Sequence, residues 1–413
     1  MATGTELYPS LDTPAILLDL DTLEANIKEM SQLARDAGLK LRPHIKIHES
    51  ATIAKMQLEA GAIGIEVGSI DQVEALADAG IKDILVAHPF YGSHKLGMLE
   101  RLLRRGDLKL TFVIEMLEHA QAISGVAEVV GLKVPVVIKL DTGGDHLGAL
   151  PGEPVHHLAK QVLKLRSVEL KGIYGHEVYS GPTQEGADKE ALRVAEMASV
   201  TAQSLRKEGI EVEHVSVGAS STFRSSCQYI KNGRFREINE IHPGKIAVDD
   251  IAQAMMQDSK ELRRTVTVLA TVISASHPDY AVIDAGFKTF GFDALIGYQN
   301  QPNYLWQGKS SFGRVKSKPD LWFGALHAEV GVIFYKNAKN TLRVGERLEI
   351  FPNNTTLVIH INKELYGVRE GEIKQVIHAA IQHACSPERI RLECRARAGR
   401  VTQLPGGGKD VPA

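Results

Sequence analysis

The sequence predicts an α/β chain in two parts. An N-terminal (β/α)8 barrel of the TIM type occupies residues 12–255, and an all-β domain takes residues 1–11 and 256–400, leaving 401–413 as a flexible tail. Three observations carry this reading. Apolar runs of about five residues alternate with helical stretches of about 10–15 over the first half. Roughly eight such units fit before residue 250, the number a closed barrel needs. Beyond about residue 255, β-branched runs recur among Gly, Pro and Asn turns without helices of similar length. A doubly wound open sheet is the alternative for the first half.

Ala15–Leu18 is the first strand-like run, followed by a helix with apolar positions Leu23, Ile27, Met30, Leu33 and Ala34, stopped by Gly38. Leu39–His44 is extended, and Glu49–Ala60 is helical up to Gly61. Ile63–Val67, Ile84–Ala87, Phe112–Ile114, Val134–Leu140, Val168–Tyr174 and Glu213–Val217 continue the strand series. In the second part, Thr265–Ser274, Tyr280–Asp284, Val330–Tyr335, Arg347–Pro352 and Thr356–Ile361 read as strands, and Gly371–Ala384 as a late helix.

Charge and composition narrow the function. The 413 residues hold 48 Lys+Arg and 50 Asp+Glu, a net charge of −2, so no basic surplus exists to neutralise nucleic-acid phosphates. No apolar run reaches the ~18 residues of a membrane span. Met1–Tyr8 has neither the basic start nor the apolar stretch of a signal peptide. Cys227, Cys385 and Cys394 are odd in number and widely spaced, the pattern of reduced thiols in a cytoplasmic protein.

Four segments could carry chemistry. Arg42-Pro43-His44-Ile45-Lys46-Ile47-His48 places a lysine at the C-terminal end of an early barrel strand, the end that carries active sites in such barrels. Cationic neighbours and partial burial lower a lysine pKa, and a deprotonated lysine is what Schiff-base chemistry needs. A basic surface loop is the alternative. Gly218-Ala219-Ser220-Ser221-Thr222 runs out of a strand into small and hydroxyl residues, a pattern suited to holding a phosphate. His242-Pro243-Gly244-Lys245 is a second backbone-exposing turn. Asp141-Thr142-Gly143-Gly144 is a Gly-rich loop that a tight turn explains equally well, and His176 and Tyr179 stand at a strand mouth where they could stack on a ring or cap the barrel.

Together these segments resemble the fold-type III pyridoxal-phosphate enzymes, in the branch of D-threonine aldolase and D-serine dehydratase, distant relatives of alanine racemase. The resemblance rests on Thr13-Pro14-Ala15, the Arg-Pro-His-Ile-Lys-Ile-His segment at 42–48, Asp-Thr-Gly at 141–143 and Gly-Ala-Ser-Ser-Thr at 218–222. Pro-Gly-Lys-Ile at 243–246, Asp-Ala-Gly-Phe-Lys at 284–288 and Pro-Asn-Asn at 352–354 complete it, in family order over roughly residues 10–375. It implies a lyase acting on a small D-β-hydroxy-α-amino acid, by retro-aldol cleavage or by elimination. It implies that Lys46 forms the Schiff base with pyridoxal 5′-phosphate, and that Ser220, Ser221 or Thr222, with backbone amides of Gly218, Gly244 and Lys245, hold the phosphate. His44, His176 and Tyr179 would act near the substrate, with His48 and Tyr366 as further acid–base candidates. It also implies a homodimer in which the β domain of one chain closes the site of the other.

Four positions depart from the family pattern. Asn354 and Thr356 stand where the family supplies a His and a Cys or Asp to a divalent metal; an amide and a hydroxyl are poor substitutes, so a reaction without metal is expected. His360 lies six residues on, about 20 Å along a strand, too far to replace the lost ligand. His146 replaces an Arg usual near the cofactor's phenolic oxygen, and Glu49 replaces a Lys. A racemase or epimerase of the same fold is the alternative, with Lys46 as one base and Tyr366 from a partner chain as the other. A non-catalytic pyridoxal-phosphate carrier is the second alternative, and a paralogue that lost its chemistry with its metal a third; the long β domain argues against the carrier.

Overall fold

The computed structural model describes residues 7–179, 181, 183–249, 264–294, 305–336, 341–379 and 381. Its first strand, β1 (Ala15–Asp19), leads into α1 (Leu20–Asp36). The Asp19 carboxylate accepts the Thr22 N–H at 2.8 Å and so caps the helix, satisfying one of the orphan donors of its first turn. Leu23, Ile27, Met30 and Ala34 form the buried face, and Gly38 at φ +72° follows the helix end.

Eight strands then form a parallel sheet: β2 (Lys40–Leu41), β3 (Ile65–Val67), β4 (Asp83–Val86), β5 (Lys109–Ile114), β6 (Val134–Lys139), β7 (Val168–Tyr174), β8 (His214–Val217) and β9 (Glu240–Ile241). Their order is β2-β9-β8-β7-β6-β5-β4-β3, every pairing parallel. The two ends of this path meet. Leu41 O accepts from Ile63 N and Pro43 O accepts from Glu66 N, both at 2.9 Å, which curls the sheet onto itself as a barrel.

The eight strands are not the eight read from the sequence. β1 pairs antiparallel with Val266–Ser274 (Ala15 opposite Leu269) and parallel with Glu364–Arg369 (Leu17 opposite Tyr366), so it belongs to the second sheet although its helix packs on the barrel. The eighth barrel strand is the two-residue β9, too short to show periodicity. The second domain is a nine-stranded sheet.

Two expectations there are corrected. Thr355–Asn362 is a helix, not a strand. Asn354 Oδ1 accepts the Leu357 N–H and caps it, while Val358 and Ile359 bury one face, so capping and tertiary packing override the β propensity of the run. The expected late helix is a strand, Glu372–His378, paired antiparallel with Glu364–Arg369. Glu370 and Gly371, both left-handed at φ +53° and +75°, form the two-residue turn that such a hairpin requires. Residues 382–413, including Cys385, Cys394 and the expected tail, lie outside the described residues. Cys227 is buried in the helix Phe223–Lys231, and burial pushes its thiol up to about 12, so it is inert.

Arg42 ties the barrel's seam. Its buried guanidinium holds Glu240 at 3.0 Å and Asp83 at 2.6 Å. Arg42→Ala leaves the Glu240 carboxylate buried without its partner, a loss of about 3–5 kcal/mol; urea denaturation of the variant is expected to show a destabilisation of that size.

Candidate active site

A cavity of about 260 Å³ opens at the C-terminal ends of the barrel strands, with Lys46 in its wall. Local sequence explains the placement. Lys46 is the middle residue of a 3-10 turn, Ile45–Ile47. Ile45 packs into the barrel core and Ile47 into the core shared with the β domain, both nearly inaccessible. The lysine between them is left facing the cavity, where it is exposed. His44 fixes the turn from below, its Nδ1 accepting the Lys46 N–H at 3.1 Å. Burial by the surrounding walls lowers the Lys46 pKa, opposed by Glu66 and reinforced by Lys245.

Under this lysine lies a buried polar layer. His44 is held neutral, its pKa well below the usual histidine range through burial, with the charge of Lys46 adding to the effect. Since His44 Nδ1 is an acceptor, its ring proton sits on Nε2, which faces Glu66 Oε1 at 3.7 Å. Glu66 accepts the Tyr174 O–H at 2.8 Å, and complete burial pushes it up to about 8. Lys139 is equally enclosed, and burial drives it down to about 8 against the pull of Glu66. Its Nζ lies 3.5 Å from His146 Nδ1. His242 stacks on Tyr174 with ring centroids 4.2 Å apart; its Nδ1 meets Ser216 Oγ at 2.6 Å and its Nε2 faces His176 Nδ1 at 3.4 Å. Burial keeps His176 and His242 neutral as well. The result is a chain Ser216–His242–His176 that reaches the cavity from the barrel interior.

Beside the lysine turn is a cradle. Ser220 Oγ accepts the N–H groups of Gly244 (3.1 Å) and Lys245 (2.6 Å). A side chain at Gly244 would press on His44 O at 2.9 Å, so only glycine lets this turn approach the Lys46 turn so closely. Two backbone donors that converge on one hydroxyl oxygen, beside an amine, mark a point where a phosphate oxygen could take that oxygen's place.

Of the residues singled out from sequence, Lys46, His44, His146, His176, Tyr179, Ser220, Ser221, Gly244 and Lys245 all line this cavity. Gly218 and Thr222 support it from behind instead. The Gly218 N–H donates to Glu177 Oε2 at 2.8 Å, and Thr222 Oγ1 closes a turn on Ala219 N and O. Tyr179 donates its hydroxyl to Thr183 O at 2.9 Å. His48 is withdrawn: fully buried, it accepts the Ser50 N–H at 3.2 Å beside Gln57, with burial lowering it to about 4. Tyr366 sits in the β domain's sheet, against Ala15, Leu17 and Leu269. Asp141 Oδ1 accepts the Gly143 N–H at 2.7 Å, so that loop is a tight turn. Glu66, Lys139 and Glu177 lie in or under this cavity and were not singled out from sequence, and His242 was noted there only as part of a turn. Their one signal was a charged or imidazole side chain in or just after an otherwise apolar barrel strand.

The family's metal position does not fit a metal here. Asn354 spends its carbonyl on the helix cap and donates its Nδ2 to Asp293 Oδ2 at 2.9 Å; Thr356 lies in the first turn of that helix. His360, on the helix rather than a strand, is about 9 Å from Asn354 along the axis rather than 20 Å, and its Nδ1 pairs with the Glu49 carboxylate at 3.0 Å. Among the described residues no group of three His, Cys, Asp or Glu side chains is gathered in a metal-binding arrangement. Nor is any described helix long and apolar enough to cross a membrane.

A parallel barrel with a lysine at its mouth, a cavity beside it and a β domain packed on the lysine turn defines a barrel enzyme of the α/β class. Residues 18–247 match the family model "Alanine racemase, N-terminal domain", and the chain belongs to that family; residues 265–368 match "Putative serine dehydratase domain". The chain is similar to the 3-hydroxy-D-aspartate aldolase of Paracoccus denitrificans (strain Pd 1222), 26% identical over 376 residues, with 89% of this chain and 91% of the relative covered. It is also similar to the D-threonine aldolase of an Arthrobacter species, 26% identical over 374 residues with the same coverage. The D-serine dehydratase of Dictyostelium discoideum is 26% identical over 376 residues, covering 84% of this chain and 91% of the relative. The solved structure of D-threo-3-hydroxyaspartate dehydratase from Delftia sp. HT23 superposes with a TM-score of 0.79 at 25% identity, over 91% of this chain and 99% of that one. D-Threonine aldolase from Filomicrobium marinum shares the fold, with a TM-score of 0.80 at 23% identity, over 91% and 96%.

Proposed function

We propose that this chain is a pyridoxal-phosphate-dependent lyase that acts on a D-β-hydroxy-α-amino acid without a divalent metal. The observation that carries the reading is Lys46, held between two buried isoleucines at the cavity wall, its ammonium destabilised by burial. Ser220, Gly244 and Lys245 would hold the cofactor phosphate, and His146, backed by Lys139, would line its pocket. When bound, the cofactor supplies an electron sink for negative charge developing at the substrate Cα.

The chain's own residues supply the proton chemistry. Lys46, its pKa lowered by burial, would accept and return a proton at Cα. Neutral His176 lies 3.4 Å from His242 through its Nδ1 and also meets the Gly218 backbone. It would take the β-hydroxyl proton in cleavage, or protonate the departing hydroxyl in elimination. With its hydroxyl bound to Thr183, Tyr179 serves as wall rather than as acid. Tyr366 is remote from the cavity of its own chain, so a racemase would need it from a partner chain.

The experiment is a panel of D- and L-amino acids with and without a β-hydroxyl. Glycine plus an aldehyde identifies cleavage, a 2-oxo acid plus ammonia identifies elimination, and the enantiomer identifies racemisation; turnover of none of them removes the lyase reading. Dialysis against a strong chelator is expected to change the lyase rate less than twofold. A chelated enzyme that is inactive and revived by manganese or zinc would show that Asn354 and Thr356 have been misjudged.

A homodimer is part of this reading. Phe287, Phe292, Leu357 and Ile361 are exposed large apolar side chains on two helices in contact and the turn that follows one of them. Such a patch fits a covered face. Light scattering is expected to give about twice the 45.1 kDa chain mass, and Phe292→Glu to shift it toward one chain; a monomeric wild type would remove this element.

A further inference from the structure

Glu177 has no task in the chemistry above, yet it lines the same cavity as Lys46 and Ser220. It follows β7 and is 2% exposed. Its Oε2 takes the N–H of Gly218, the residue that opens the 218–222 loop, and its Oε1 has no hydrogen-bond partner. Gly218 itself is confined: at φ +123°, a side chain there would meet Ile241 at 2.6 Å. The carboxyl is therefore seated as an internal anion on the loop that flanks the phosphate cradle.

Hydrogen bonds offset part of the cost of burying that charge. They come from its own backbone N–H, from Gly218 and from the Thr222 hydroxyl. From the helix Gln184–Lys207, Glu190 adds a second negative charge, and Arg193 is already paired with Glu190 at 2.7 Å. From the strand side, Tyr174 and neutral His176 carry no positive charge. Burial pushes Glu177 up to about 7 in the free protein. Glu177 and Ser220 line one cavity, so a phosphate dianion at Ser220 would repel an ionised Glu177.

We propose that Glu177 takes up a proton when the phosphate-bearing cofactor binds, so that this side chain couples cofactor affinity to pH. The inference rests on the cofactor reading given above. At pH 6 Glu177 already carries its proton and binding is unhindered by it. Above pH 7 the proton must be acquired on binding, and affinity falls by up to about tenfold per pH unit from this group alone.

The test uses pyridoxine 5′-phosphate, which has the phosphate and ring but no aldehyde, so Lys46 cannot condense with it. Its affinity for apoprotein is measured by calorimetry between pH 6 and pH 9, for wild type and for Glu177→Gln, which keeps an acceptor for Gly218. Lys139 and Glu66 also titrate in this window but are common to both proteins, so the difference between the two isolates Glu177. The two are expected to bind equally at pH 6, and the variant about tenfold or more tighter at pH 9. Glu177→Ala, which removes the charge by a different shape, is expected to match it and serves if the glutamine variant does not fold. Parallel pH slopes in wild type and variant overturn the assignment of Glu177 while leaving the cofactor reading intact. No binding by wild type at any pH overturns both.

Discussion

Lys46→Ala protein is expected to be colourless where wild type is yellow, and to lose activity by about 10⁴-fold or more, the scale of removing a covalent nucleophile. The visible band arises only when the cofactor is joined to an amine, and Lys46 is the amine placed at the cavity wall between Ile45 and Ile47. Lys139 does not substitute, because it is enclosed beneath the cavity, 3% exposed, over the Tyr174 ring. The fold should survive, since the Lys46 side chain faces the cavity and the two isoleucines anchor the turn. Absorption spectra of both proteins after dialysis against pyridoxal phosphate decide the matter. A yellow Lys46→Ala protein with residual turnover would move the Schiff base elsewhere and undo the proposed function.

Gly244→Val is expected to weaken pyridoxal-phosphate affinity by about 100-fold, equivalent to about 2.7 kcal/mol. Two effects combine. The added Cβ would sit 2.9 Å from His44 O and 3.3 Å from Ile47, pushing the phosphate turn away from the lysine turn. That displacement also separates the Gly244 and Lys245 N–H groups from Ser220, which now gathers them at 3.1 and 2.6 Å. The check is titration of apoprotein with the cofactor, with circular dichroism to show that the variant folds. Affinity unchanged within threefold would mean that the phosphate lies elsewhere.

Local sequence made the centre of the site legible. A lysine flanked by histidines at a strand end, Gly-Ser and Pro-Gly turns late in the barrel, and the helices' capping and periodicity are short-range signals. They located nine of the side chains that line the cavity. They did not show that Gly218, Thr222 and His48 lie behind the cavity wall, because whether a polar group faces the cavity or braces a loop depends on the partner across from it. Glu177 consumes the Gly218 amide from 41 positions away, and no spacing rule reports that. Glu66 and Tyr174 are 108 positions apart, and Ser216 and His242 are 26 apart.

The same division runs through the fold. Alternating apolar runs and helices determine a parallel α/β architecture, since each strand must bury both faces and each helix one. Periodicity could not say that β1 leaves the barrel for the other sheet, because a buried strand has the same pattern in either. Nor could it find β9, whose two residues gain their place only through Lys40 and Ser216 on either side. The helix at Thr355 and the strand at Glu372 were decided by a cap and a hairpin turn against local propensity. The sequence by itself determined which chemical groups this protein brings to its barrel mouth. Tertiary structure decided which of them are charged there, because burial and neighbouring charge, and not residue type, set the protonation of Lys46, Glu66, Lys139 and Glu177.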